Sequence, residues 1–301
     1  MRPSNPDAIE RASLMSSSSS SSSDDENNTT TALVKRKNSL LKEDSSDSDD
    51  EIEFLYEQNF FALRDECLKS GILFEDPEFP PDNDLLRERS GRHLEDLEWK
   101  RPHEFVRPDD PILISDRNEG FDIRVGLDSW FVPAMSAVAE SESMLHKVIP
   151  LDQGFTEHKK YCGIFHFRFW FGRWIEIVID DRLPVKKDTS LYLKSSRTEE
   201  MWPALLEKAY AKAKGSYELL NHWMAIDGCI ELTGGVPERV RNLHELLTAD
   251  ERHADRLFFD LLRASQMGNI ILVNLPTKNR ETKLRLAEAS QLGLNVKYTY
   301  R

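Results

Sequence analysis

Cysteine is scarce: 301 residues hold three, Cys67, Cys162 and Cys229. Few, odd in number and widely spread, they exclude a disulfide-stapled secreted scaffold and fit a reducing compartment. Long apolar runs are also missing. None approaches the ~18 residues of a membrane-spanning helix, and the N-terminus lacks the apolar centre of a signal peptide. Positive charge is in deficit, with 40 Lys and Arg against 53 Asp and Glu and a net charge of −13. No basic stripe is available to neutralise phosphates, which argues against a nucleic-acid partner. The expectation is a soluble, cytoplasmic chain long enough for one or two cores.

The first fifth contributes nothing to such a core. Ser16 to Ser23 form an unbroken serine run, followed by DDENNTTT, a short basic island KRKNSLL and the acidic block EDSSDSDDEIE. So little apolar surface cannot offset the entropy of ordering the chain, and residues 1–52 read as a disordered tail. Ser46 and Ser48 precede acidic residues at a spacing acidophilic kinases favour, and Arg36 stands three before Ser39. The tail reads equally as a phosphorylated segment or as a solubilising one.

Order is expected from Phe54. FLYEQNFFALRDECLKSGILF has apolar residues at helical spacing and stops at Gly71, a C-cap residue. The Pro-rich stretch from FEDPEFPPDND to WKRPHEFVRPDDPILISD should be mostly irregular. A helix is predicted from Ser129 to about Glu140, with Pro133 tolerated in its first turn. IFHFRFW and RWIEIVIDD alternate with period 2 and predict a hairpin turning at Phe171-Gly172. TEEMWPALLEKAYAKAKGSYELL predicts an amphipathic helix, with Trp202, Leu205, Leu206, Ala209 and Tyr210 on one face and Glu199 and Glu200 in its first turn. LTGGV predicts a turn, RLFFDLLRAS a helix, IILVNLP a buried strand and VKYTYR a short last strand.

FEDPEFP (74–80), WKRP (99–102), DSWF (128–131), HKVIPLDQ (146–153), GIFHFRFW (163–170), IVIDDRLP (177–184), ALLEKAYAKAKGSYE (204–218) and TGGV (233–236) together resemble the calpains. The resemblance covers residue 54 to about 240 well and the remainder faintly. It implies an α+β fold, the papain-like two-lobed cysteine peptidase core, with the active site between the lobes and a calcium ion in each. On this reading residues 53–220 are the first lobe, mainly helical with a β-hairpin. Residues 221–301 are part of the second, which stops short and is expected to be loosely ordered alone.

Calpain-like chemistry needs a thiolate at a helix N-terminus, a histidine across the cleft and a glutamine among the oxyanion donors. The family loop has the pattern Q-G-x-L-G-D-C-W. Here IRVGLDSW is two residues shorter, has no glutamine and puts Ser129 at the cysteine position. Ser129 reads as a helix N-cap in preference to a nucleophile. Against the family's G-H-A-Y, the nearest match is LGLNVKYTYR, with Tyr298 at the histidine position. Its ordinary pKa of ~10 makes it a poor base at neutral pH.

The resemblance also implies a first-lobe calcium site, in which Asp122 and Glu200 supply carboxylates and Ser115 and Arg117 supply backbone carbonyls, a donor set that suits calcium. Arg117 stands where the family has glycine. The alternative is a turn-capping aspartate and a glutamate that complements the helix dipole. Cys162 with His166, and His222 with Cys229, offer too few ligands for zinc. The first pair shares strand parity and reads as packing.

Two functions stay open. One is a catalytically silent homologue that binds peptides, calcium or a partner peptidase through the first lobe. The other is an active calcium-dependent endopeptidase acting on protein substrates, and a histidine such as His146 or His166 beside Ser129 would favour it.

Overall fold

A computed structural model describes residues 52–83, 86, 97–106, 110–115, 123–124, 131–187, 189–190, 193–222, 225–240, 251–274 and 299–300. The expected disordered tail lies outside them, apart from Ile52.

Chain order begins with strand β1 (Glu53–Phe54) and helix α1 (Phe60–Ser70). The Asn59 side chain accepts from the Ala62 amide at 3.0 Å and starts α1. Gly71 ends it in the left-handed region at φ 68°, where a Cβ would be strained. The Pro-rich stretch holds only β2 (Glu98–Lys100) and α2 (Pro102–Phe105) among its described residues. After β3 (Ile123–Arg124) come α3 (Val132–Ala139) and α4 (Glu142–Val148). The N-cap of α3 is Phe131. Ser129, read from the sequence as the cap, lies outside the described residues.

The hairpin forms as expected. Strands β4 (Ile164–Trp170) and β5 (Trp174–Asp180) pair antiparallel from Ile164–Asp180 to Trp170–Trp174. Gly172 takes φ 78° in the three-residue loop, the conformation such loops need. β1 adds parallel to β5. Further on, β6 (Leu183–Lys186) pairs with β2 and with β7 (Thr189–Ser190), and β8 (Lys194–Ser195) pairs with β3.

Helix α5 (Trp202–Lys214) departs from the amphipathic expectation, because all thirteen of its residues are buried. Its lysines run their apolar stems through the interior and bond to acceptors beyond it. Glu199 and Glu200 precede α5, which has no acidic residue in its first turn. Helix α6 (Ala225–Thr233) follows, and Gly234 turns the chain at φ 72°. Helix α7 (Glu251–Gln266) forms where RLFFDLLRAS predicts it, with Phe258 and Phe259 exposed. IILVNLP is strand only at β9 (Val273–Asn274), and Ile270 is exposed, so the buried strand is not found there among the described residues. β9 pairs with β10 (Thr299–Tyr300).

The mixture of helices and strands is α+β. The main core joins Phe165, Phe167 and Phe169 of β4 and Ile175, Ile177 and Ile179 of β5 to Trp202, Leu205, Leu206 and Tyr210 of α5. Burying each such side chain contributes roughly 1.5–3 kcal/mol. Ile164 and Val178 point the other way, into a second cluster with Phe60, Phe74 and Cys162. Helix α1 thus roofs the face that a two-layer fold would leave wet. His166, on the same parity as Cys162, stacks on Phe60 with ring centroids 3.8 Å apart. It is a packing residue there, as the parity suggests.

Candidate active site

Helix α3 presents the segment that carries the position of interest. Its residues are small and apolar, and Ala134, Met135, Ala137, Val138 and Ala139 are buried. That composition lets α6 approach closely: a Cβ on Gly228 would come within 3.0 Å of Ala134 and of the Phe131 ring. Phe131 is buried and stacks on Tyr210, with centroids 4.7 Å apart and planes at 18°. The Tyr210 hydroxyl donates to the Glu231 carboxylate, which also accepts from Lys214 Nζ at 2.8 Å. Burial pushes the Tyr210 hydroxyl well above its ordinary value and pushes the Glu231 carboxyl up, against the pull of Lys214. This stack starts at Phe131, two positions after Ser129 in the sequence. Ser129 itself, with Asp122, Arg117 and Tyr298, lies outside the described residues.

Ser115 and Glu200 are brought together. The Ser115 amide donates to Glu200 Oε1 at 2.8 Å, while Glu200 Oε2 accepts from Ser195 Oγ at 2.6 Å. A bridge between Ile112 and Glu200 aligns the two segments. Arg197, which sequence reasoning missed, donates to Ser115 Oγ at 2.7 Å and to Glu199 Oε1 at 3.0 Å. Its position three residues before Glu200 was the available signal. Calcium takes six to eight oxygen ligands. Two described carboxylates stand here: both oxygens of Glu200 already accept protein hydrogen bonds, and Glu199 is paired with the Arg197 guanidinium. No cluster of three potential His, Cys, Asp or Glu ligands exists among the described residues. Those residues on their own do not fit the ion.

All three cysteines are unpaired. Burial pushes the Cys67 thiol up, and pushes Cys162 and Cys229 each up to about 11. A nucleophilic thiol needs the opposite, a partly exposed site that favours thiolate. His166 is held between Asp152 and Glu176. That spends the imidazole on a buried ion cluster. No described helix is long and apolar enough to cross a membrane.

Helix α3, with the Phe131–Tyr210 stack behind it, is packed in an α+β core. Residues 74–301 match the family described as calpain family cysteine protease. Mouse calpain-5 is 38% identical over 226 residues, covering 73% of this chain and 35% of the relative. The bovine calpain-2 catalytic subunit is 40% identical over 221 residues, covering 71% and 30%. Calpain-A of Drosophila melanogaster is 41% identical over 186 residues, covering 60% and 22%. The chain belongs to the calpain family, and it spans about a third or less of the length of these curated relatives.

Proposed function

We propose that the protein is a catalytically silent calpain-family member, which binds protein or peptide partners through the first lobe (residues 53–220) and does not cleave them. The carrying observation concerns sulfur. The chain has three cysteines, none of them at the GLDSWF loop, and each has its thiol pushed up by burial. A serine hydroxyl in a site suited to a thiolate would deprotonate poorly, and LGLNVKYTYR supplies Tyr298 where a histidine would be needed. Extended peptides bind through main-chain hydrogen bonds and apolar pockets, neither of which requires the nucleophile. Residues 221–301 belong, on this reading, to the second lobe, and the protein works in the cytoplasm.

The test is cleavage of an unfolded protein substrate by the purified chain, with and without millimolar calcium, beside Ser129→Ala and Ser129→Cys. No cleavage by any of the three is expected. Calcium-dependent cleavage lost only in Ser129→Ala would replace the proposal with an active endopeptidase.

A further inference from the structure

We propose that Cys67 and Cys162 are a paired oxidation site, converted by hydrogen peroxide to an intramolecular disulfide that fastens α1 to the β4–β5 hairpin.

Three contacts bring the end of α1 against Cys162. The Arg64 carbonyl, one turn before Cys67, lies 3.9 Å from Cys162 Sγ. Past the Gly71 cap the chain doubles back, and the Phe74 amide donates to the Cys162 carbonyl at 2.8 Å. Cys67 packs on the apolar cluster that contains Cys162, Phe60, Phe74, Ile164 and Val178. The two thiols lie near enough for each to affect the other's ionisation. The Cys67 backbone is thus fixed by α1 and its cap, and that of Cys162, two residues ahead of β4, by the Phe74 amide before any bond forms between the sulfurs.

Exposure assigns the roles. Cys67 is half-buried and Cys162 is buried, so peroxide meets Cys67 first. The Cys67 thiolate attacks one peroxide oxygen, the O–O bond breaks, and the departing hydroxide takes a proton to leave as water. The resulting sulfenic acid is attacked at sulfur by Cys162, its hydroxide leaves with the Cys162 proton as a second water, and the S–S bond forms. Two thiols have lost two electrons and two protons, and one peroxide has become two waters. Burial keeps both thiols largely protonated, so the reaction is slow at basal peroxide and answers to sustained oxidation. Cys229 lies on α6, packed against the other core cluster. It serves as an internal control.

The link closes a loop of about 95 residues, which restricts the unfolded chain and favours the folded lobe. It holds in place the helix that carries Phe60 against His166 and Arg64 against the Asp152 carbonyl.

The experiment treats the full, freshly reduced chain with hydrogen peroxide, blocks remaining thiols with N-ethylmaleimide and maps peptides without reductant. The expected result is one peptide pair joining Cys67 to Cys162 in a monomeric chain, with free thiols falling from three to one. The melting temperature should rise by several degrees and return with dithiothreitol. Cys162→Ala should lose the link and the shift, whereas Cys229→Ser should keep both. Recovery of Cys67 and Cys162 both alkylated would overturn the proposal. So would a sulfinic acid at Cys67 without a link, or a bond from either residue to Cys229 or to a second chain. Mapping of the unmutated protein decides the matter even if Cys162→Ala fails to fold.

Discussion

Lys212 Nζ donates to Asp76 Oδ2 at 2.6 Å with both side chains excluded from solvent. The same ammonium donates to Gln58 Oε1 at 2.5 Å and to the Val178 carbonyl at 2.7 Å, which uses all three of its protons. One turn earlier, Lys208 Nζ bonds Asp180 Oδ1 at 2.6 Å and the carbonyls of Asp180 and Arg182 at 3.0 and 2.6 Å. Asp180 in turn accepts from the Asp76 amide at 2.9 Å. The segment before α1, the loop after it, β5 and α5 therefore meet at two buried cations.

Removing one partner of such a pair strands the other in the core. Lys212→Met keeps the length of the side chain but leaves Asp76 without its cation, and should cost about 3–5 kcal/mol in urea unfolding. Lys212→Met combined with Asp76→Asn should recover part of that loss. A Lys212→Met loss below about 1 kcal/mol would mean that the pair is hydrated in solution.

Two buried groups predict opposite limbs of the stability profile. Burial opposes the Asp180 charge, but Lys208 and Arg182 outweigh it and hold the carboxyl well below its ordinary value. A depressed pKa stabilises above the unfolded value of ~3.9, and the stabilisation is lost as pH falls through the folded value. His166 is the reverse. Burial lowers its pKa, yet Asp152 at 2.9 Å and Glu176 at 3.1 Å raise it overall. His166 Nδ1 makes no hydrogen bond among the described residues in spite of that 3.1 Å approach. Arg168 contacts Glu176, and Arg64 stands over the Phe60 ring that stacks on His166. The His166 contribution is complete below the unfolded pKa of ~6.5 and is lost as pH rises through the raised folded value. Melting scans from pH 3 to 9 should show Asp180→Asn flattening the acid limb and Asp152→Asn flattening the neutral-to-alkaline one. Identical profiles for wild type and Asp152→Asn would show that His166 folds uncharged.

Gly163 lies at φ 75° beside Arg101, whose guanidinium bonds the buried Asp181 carboxylate. A Cβ there would collide with Arg101 Nη1 and lies 3.4 Å from Asp181 Oδ1. Gly163→Ala should therefore lower stability by about 2 kcal/mol or more, combining left-handed strain with a displaced ion pair. The check is denaturant unfolding beside Gly172→Ala. That residue has the same sign of φ and open space around it, and its loss should be the smaller.

What could be read from the chain depended on how local the cause was. Helix α1 and the hairpin follow from period and turn chemistry, with Asn59, Gly71 and Gly172 each doing their work within a few residues. The surroundings of α5 could not be read that way. Lys208, Lys212 and Lys214 look like the wet side of a helix, and their partners Asp180, Asp76 and Glu231 stand 28, 136 and 17 residues away. At the candidate site Ser115 and Glu200 were named together from the family pattern. That Ser115 meets Glu200 through its amide, with Arg197 closing the contact, is a fact of backbone direction that residue types do not encode.

The same contact predicts how the lobe responds to calcium. Glu200 is buried and accepts from the Ser115 amide and the Ser195 hydroxyl, so its charge is already compensated by protein donors. Arg197, paired with Glu199 at 3.0 Å, holds Ser115 Oγ in a protein hydrogen bond at 2.7 Å, so that oxygen too is already engaged. Millimolar calcium should therefore leave the melting temperature of the full chain where chelator leaves it. Glu200→Ala should cost about 1–3 kcal/mol in either medium, because two donors lose their acceptor in a buried place. Arg197→Ala removes the bond to Ser115 Oγ and leaves Glu199 without its cation, and should make the protein more responsive to calcium than the wild type. A wild-type melting temperature that climbs with calcium, and a climb abolished by Glu200→Gln, would show instead that the ion displaces these hydrogen bonds and that Arg197 yields to it.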